Sequence, residues 1–196
     1  MVSVVRECID EKINILNDLK DSEYMKNVIA VSDAMIFSLM NGGKILTAGN
    51  GGSAADAQHF SGEMIGRFLV ERDSYASVCL VVDPVVMTSV SNDYGYENAV
   101  ARQLAGIGRE GDVLLAISTS GESKNMINAI YEARKRGIIS VALTGKDGGM
   151  MAKLSDYSLI VPSENTPRIQ EIHTFTIHLL CELIEREMSQ TYEQSR

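Results

Sequence analysis

The segment Asp56-Ala57-Gln58-His59-Phe60-Ser61-Gly62-Glu63 carries an imidazole and a carboxylate four residues apart. On a helix that spacing puts both on one face, one turn apart. Such a pair can share a divalent metal or act together in moving a proton. A plain surface pair on a solvated helix has the same spacing. Two more histidines, His173 and His178, follow Arg168-Ile169-Gln170-Glu171-Ile172. His178 sits among Ile177, Leu179 and Leu180, so both histidines suit an apolar core as well as a site. Gln170 and His178 are eight apart, about 12 Å along a helix axis and roughly 80° around it. A single chain is therefore ill placed to grip one ligand or metal with both. If both serve one site, they come from different subunits, which makes the site an oligomeric one.

Two glycine–serine segments carry different chemistry. The first is Gly49-Asn50-Gly51-Gly52-Ser53-Ala54-Ala55-Asp56, and the second is Ser118-Thr119-Ser120-Gly121-Glu122-Ser123. Each falls where a β-rich run gives way to a helical one. Glycine lets the backbone approach a ligand, and a helix N-terminus offers unpaired N–H donors and positive potential. The hydroxyls of Ser118, Thr119, Ser120 and Ser123 can each donate to a phosphate oxygen. Neither segment holds a lysine, so neither is a Walker A loop. The first also fits G-x-G-x-x-A, a weak dinucleotide signal. A dinucleotide fold needs one phosphate loop and an acidic residue after the second strand. Asp83 is there, but the following Pro84 makes it a helix cap instead. Two loops favour a compact phosphate site.

The elements that must position these residues alternate. Two helices fill the first forty residues. In the second, Met25, Val28, Ile29, Met35, Ile36 and Leu39 recur at helical spacing, with Ser22 as its cap and Gly42-Gly43 as its stop. Few polar residues interrupt 28–40, so this helix is expected to be covered on more than one side, as at a subunit interface. Strands are expected over 44–48, 77–82, 113–117, 138–143 and 157–161. Helices are expected over 53–68, 84–91, 97–107, 123–136 and 167–188, with residues 189–196 fraying. Alternation of this kind implies an α/β fold, a parallel sheet with helices on both faces. In the 2-1-3-4-5 strand order, the ends of strands one and three flank the switch point where ligands bind. The two glycine–serine segments follow those two strands. No internal repeat, low-complexity tract or linker divides the 196 residues, which suit one domain: a helical arm over 1–41 and an α/β core over 42–190.

Bulk properties exclude several classes. The chain is 45% hydrophobic, enough for a real core without a disulfide or structural metal. Its net charge is −8 and it has no Lys/Arg run, which argues against nucleic-acid binding, since that affinity comes from counterions released at basic clusters. A small anion remains compatible, because backbone N–H groups hold phosphate at any net charge. Cys8, Cys79 and Cys181 form no CxxC pair and are odd in number, which suits a reducing, cytoplasmic compartment. No basic stretch followed by an apolar run opens the chain, and no apolar run is long enough to span a membrane.

These residues resemble a known family. Gly49 through Phe60, Ser91-Asn92-Asp93-Tyr94-Gly95, Ile117 through Gly121 and Arg168 through His173 are similar, in order and spacing, to the phosphoheptose isomerases, a family built on the sugar-isomerase (SIS) domain. The resemblance covers nearly the whole chain. It implies a five-stranded parallel sheet flanked by helices and a homotetramer with active sites between subunits, the N-terminal helices lying at the interface. It implies interconversion of sedoheptulose 7-phosphate and D-glycero-D-manno-heptose 7-phosphate through an enediol, the first step toward activated heptoses for lipopolysaccharide or capsule. By that resemblance Glu63 moves the proton between C1 and C2, and His178 is its acid–base partner. Ser118, Thr119, Ser120 and Ser123 would hold the phosphate beside Gly51 and Gly52. Asn50, Ser53, Asp93 and Gln170 would contact the sugar. Some members bind zinc, one per subunit, through residues matching His59, Glu63, Gln170 and His178. One stretch departs: Val82-Asp83-Pro84-Val85-Val86 stands where relatives often carry Thr-Asp-Thr or Thr-Asp-Ser, near the expected sugar pocket.

Other SIS proteins are not enzymes. One is a tetrameric adaptor that binds the bacterial replication initiator; others are sugar-phosphate sensors, usually with an added DNA-binding domain. The adaptor lacks the carboxylate one turn after the histidine, and an arginine interrupts its hydroxyl loop. Glu63 and Ser120 are both present here, which favours the enzyme.

Overall fold

The computed structural model describes residues 1–194, with side chains through residue 189. Helix α1 (Val2–Lys20) and helix α2 (Glu23–Met40) form the N-terminal arm. Ser22 ends one and starts the other: its hydroxyl donates to the Leu19 carbonyl and accepts from Tyr24 N–H. Helix α2 buries Val28, Val31, Met35 and Ile36 yet leaves Met25, Ile29, Phe37 and Met40 exposed. Within one chain, then, its second apolar side is uncovered.

Strands β1 (Ile45–Gly49), β2 (Ser77–Cys79), β3 (Val113–Ser118), β4 (Ile139–Gly145) and β5 (Tyr157–Val161) build one sheet. Every pairing is parallel, and the order is β2-β1-β3-β4-β5, as the alternation of elements predicts. Between them lie α3 (Gly52–Ile65), α4 (Pro84–Tyr94), a 3-10 turn (Tyr96–Asn98), α5 (Ala99–Ile107), α6 (Lys124–Lys135) and α7 (Gly149–Leu154). Helix α8 (Thr166–Gln194) closes the chain. It runs past the expected end at residue 188, and the remainder of the expected fraying tail lies outside the described residues.

Strand residues alternate between two cores. Ile45, Val113, Leu115 and Ile117 face the side of α2, α3 and α8. Leu46, Ala48, Leu114 and Ala116 face α5, α6 and α7. The helices after β1 and β3 thus leave the sheet on opposite faces. That divergence opens the crevice of a switch point above neighbouring strands.

Helix α4 also runs three residues past its expected end, and three further elements differ from expectation. Strand β2 stops at Cys79, paired with Thr47 of β1, and the chain turns at 80–81 toward the Asp83 cap of α4. Helix α7 answers to no expected helix; its start is Asp147-Gly148-Gly149, where Gly148 takes φ 86° and the Asp147 carboxylate accepts Gly149 N–H. Helix α3 ends at Ile65, not near residue 68, because the Arg72 guanidinium takes the carbonyls of Glu63 and Met64 in its last turn. A cation there satisfies orphan acceptors and the helix dipole together.

Candidate active site

The two glycine–serine loops stand side by side at the C-terminal ends of β1 and β3. Asn50 and Asn125, the latter in the first turn of α6, exchange amide bonds of 2.9 and 2.7 Å. The Tyr96 hydroxyl donates to the same Asn50 Oδ1 at 2.7 Å. The Asn50 side chain therefore clasps the loops together as well as facing the crevice. Gly51 takes φ 56° as the residue before α3, and Ser53 is buried in the first turn.

In the second loop the hydroxyls converge. Ser118 Oγ lies 2.9 Å from Ser123 Oγ and 3.4 Å from Ser120 Oγ. Ser120 Oγ also accepts Glu122 N–H, which curls the loop. Thr119 is half-buried between them. Gly121 is required here: at φ 66°, a Cβ would sit 2.1 Å from the Gly148 carbonyl oxygen. That close approach docks the loop on the start of α7, where Gly121 O accepts Met151 N–H.

Helix α8 lies along α3 in register. A Cβ on Gly52 would stand 2.4 Å from Gln170 Nε2. One turn on, the Thr174 hydroxyl donates to Asp56 Oδ1 at 2.9 Å. Another turn on, His178 Nε2 is 3.5 Å from His59 Nε2, and His59 Nε2 is 3.1 Å from Glu63 Oε1. The His59 and His178 rings meet edge to face at 5.0 Å, and Phe68 covers the far side of His178 at 5.7 Å. One chain thus brings His59, Glu63 and His178 together. It leaves Gln170 on Gly52, two turns away, as the spacing along α8 requires. Asp93 is exposed near the end of α4 and its carboxylate accepts from Asn92 Nδ2, so the structure does not bring it to these residues; the 3-10 turn that follows touches Asn50 through Tyr96.

His173 takes no part. It is fully buried, bonds Thr144 O at 3.0 Å, and burial lowers its pKa to about 4. This is the core histidine the sequence allowed for. Burial pushes the Asp56 carboxyl up, against the Thr174 hydroxyl and the nearby His59.

Among the described residues, no group of three or more His, Cys, Asp or Glu side chains is arranged to hold a metal ion. The donor types nonetheless fit zinc: two imidazole nitrogens and a carboxylate oxygen follow one another at 3.1 and 3.5 Å.

Asn125, Tyr96 and Asp56 also join these residues without a sequence expectation. For Asp56 the signal was at hand, since it shares the face of His59. For Tyr96 and Asn125 it was not, because their partner Asn50 lies 46 and 75 residues away in the chain.

A sheet of this order, with a hydroxyl loop after β3 and an imidazole–carboxylate cluster between α3 and α8, fits a sugar-phosphate isomerase class of α/β protein. The model of the SIS domain matches residues 9–145, and the chain belongs to the SIS domain family. Within that family it groups with the phosphoheptose isomerases. It is 46% identical over 189 residues to that enzyme of Sulfurimonas denitrificans, covering 96% of this chain and 97% of the relative. It is likewise 46% identical to that of Aneurinibacillus thermoaerophilus, over 94% of each chain. The phosphoheptose isomerase structure from Neisseria gonorrhoeae superposes with a TM-score of 0.88 at 40% identity, over 94% of this chain and 98% of that one. The Francisella tularensis structure gives 0.90 at 34%, with the same coverage. The likeness read from the motifs is borne out, and with it the standing of the chain among isomerases.

Proposed function

We propose that the chain interconverts sedoheptulose 7-phosphate and D-glycero-D-manno-heptose 7-phosphate in the cytoplasm, supplying activated heptose for lipopolysaccharide or capsule. The observation that carries this is the His59–Glu63–His178 cluster, assembled where α8 packs on α3, the helix that the first glycine–serine loop opens. Ser118, Thr119, Ser120 and Ser123 bind the phosphate with backbone N–H groups of the Gly51-Gly52 loop. Asn50, Ser53, Asp93 and Gln170 orient the sugar. Anchoring the far end holds C1 and C2 at the reacting groups.

Glu63 takes the proton from C1 of the ketose. His178 gives a proton to O2, leaving the cis-enediol. Glu63 then returns its proton to C2 while His178 accepts the one from O1. The net change moves one proton from C1 to C2 and one from O1 to O2, with nothing consumed. His59 orients Glu63. A zinc ion, one per subunit, would be held by His59, Glu63 and His178, with Gln170 from a neighbouring copy, and would stabilise charge on the enediolate oxygens. A homotetramer with shared sites is the assembly this requires, and the uncovered apolar residues of α1 and α2 support it.

The test is a direct assay with sedoheptulose 7-phosphate, with and without chelator. Conversion by the wild-type chain, lost on chelation and restored by zinc, agrees with the reading. Absence of conversion with zinc supplied contradicts it. Full activity after complete chelation contradicts only the zinc assignment.

A further inference from the structure

Beyond the residues that meet substrate, the structure holds a buried ion pair at the C-terminal end of α3. Glu185 follows His178 by seven residues, two turns along the same face of α8. It is 2% exposed. Its Oε1 accepts Phe68 N–H and Arg72 Nε, both at 3.0 Å. Its Oε2 accepts Leu69 N–H at 2.7 Å and Val70 N–H at 3.2 Å. Burial alone would push this carboxyl up. The N–H groups of Leu69 and Phe68, the Arg72 guanidinium and the Val70 N–H outweigh that and hold it below the ordinary value. It stays charged across the working pH range.

Arg72 reaches the other way. Its Nη2 donates to the Glu63 carbonyl at 2.8 Å, and its Nη1 to the Met64 and Asp73 carbonyls at 3.0 Å each. The guanidinium carbon lies 3.9 Å over the Tyr75 ring. Segment 66–73 is thereby strapped between two helices. One end of the pair grips the peptide of Glu63. The other stands on the helix of His178, and the strap's own Phe68 packs on the His178 ring.

We infer that Arg72 and Glu185 are positioning residues of the reaction, fixing the gap between Glu63 and His178. This rests on the acid–base reading of those two residues. Stability alone does not call for such a pair, since buried ion pairs are often replaced by apolar groups at no loss. What an apolar replacement lacks is direction. It does not hold a particular carbonyl of α3 at a fixed distance from a particular turn of α8. Catalysis needs that constraint, because a misplacement of about 1 Å costs on the order of 100-fold in rate. The phosphate-binding hydroxyls lie on β3 and the loop after it, away from the strap, so the loss should fall on kcat.

Glu185→Gln keeps the shape and removes the charge. Arg72→Lys keeps the charge and removes the fork that spans both helices. Steady-state rates per folded protein, taken from far-ultraviolet circular dichroism, are measured beside Glu63→Gln, with amide hydrogen exchange over 66–73. The expected result is kcat lowered about 10- to 100-fold in both variants, with KM within about twofold. Exchange should quicken at residues 68–70 in Glu185→Gln and stay unchanged at 118–123. Wild-type kcat in both variants, with Glu63→Gln inactive, overturns the inference and leaves the acid–base reading intact. An active Glu63→Gln overturns that reading, and the positioning role falls with it. Unchanged exchange in Glu185→Gln overturns the strap whatever the rates.

Discussion

At the scale of single residues, chemistry is set by which side chains share a hydrogen-bond path. Glu63 Oε1 and His59 Nε2 share one at 3.1 Å, and His178 Nε2 stands 3.5 Å from that same nitrogen. A general base missing from such a path costs about 100- to 10,000-fold in rate. Glu63→Gln and His178→Ala should each lose that much of kcat while circular dichroism stays that of the wild type. Gly52 makes a second point. A Cβ there would stand 2.4 Å from Gln170 Nε2. Gly52→Ala should therefore displace the Gln170 amide and raise KM about tenfold with little change in melting temperature, as steady-state kinetics and calorimetry would show. Of these residues, His59 and Glu63 were paired by their spacing, which a plain surface pair shares, and only the resemblance gave them a role. His178 had no such signal, because only the packing of α8 along α3 separates it from the core histidine His173. Arg72 and Glu185 carried no sequence signal, being 113 residues apart in the chain.

At the scale of elements, the alternation of strand and helix carried the fold. Because both faces of β1 and β3 are covered, every residue in them is buried, and runs such as Val113–Ser118 read as buried strands. Boundaries failed where tertiary contacts set them: α3 stops at a cap provided by Arg72, and α7, which begins on glycines, answers to no expected helix. The hydroxyl loop is one of these tertiary constructs. Gly121→Ala forces a Cβ to 2.1 Å from the Gly148 carbonyl and strains a positive φ. Denaturant unfolding should show a loss of about 1–3 kcal/mol, and binding of sugar phosphate should weaken more than turnover.

At the scale of the whole molecule, two properties follow. The α1 and α2 residues Val5, Ile9, Ile13, Ile29 and Phe37 are exposed in one chain, large apolar side chains that a second copy would cover. Sedimentation should give four 21.4 kDa chains, and charged substitutions at Ile29 and Phe37 should split them and abolish activity together. Stability should also depend on pH through His173. Its folded value of about 4 lies below the ordinary 6.5, so the unfolded chain takes up the proton first. The contribution is complete above 6.5 and is lost as pH falls toward 4. That amounts to on the order of 3 kcal/mol. Urea unfolding at stepped pH should show this slope, flattened in His173→Gln.

The account turns on Glu63 carrying a carbon-bound proton, and isotope exchange observes that act itself. Sedoheptulose 7-phosphate incubated with the protein in deuterium oxide should gain deuterium at C1 of the ketose and at C2 of the aldose, followed by nuclear magnetic resonance. Glu63→Gln should take up none on the same timescale. Deuterium entering at the wild-type rate in that variant would contradict the claim.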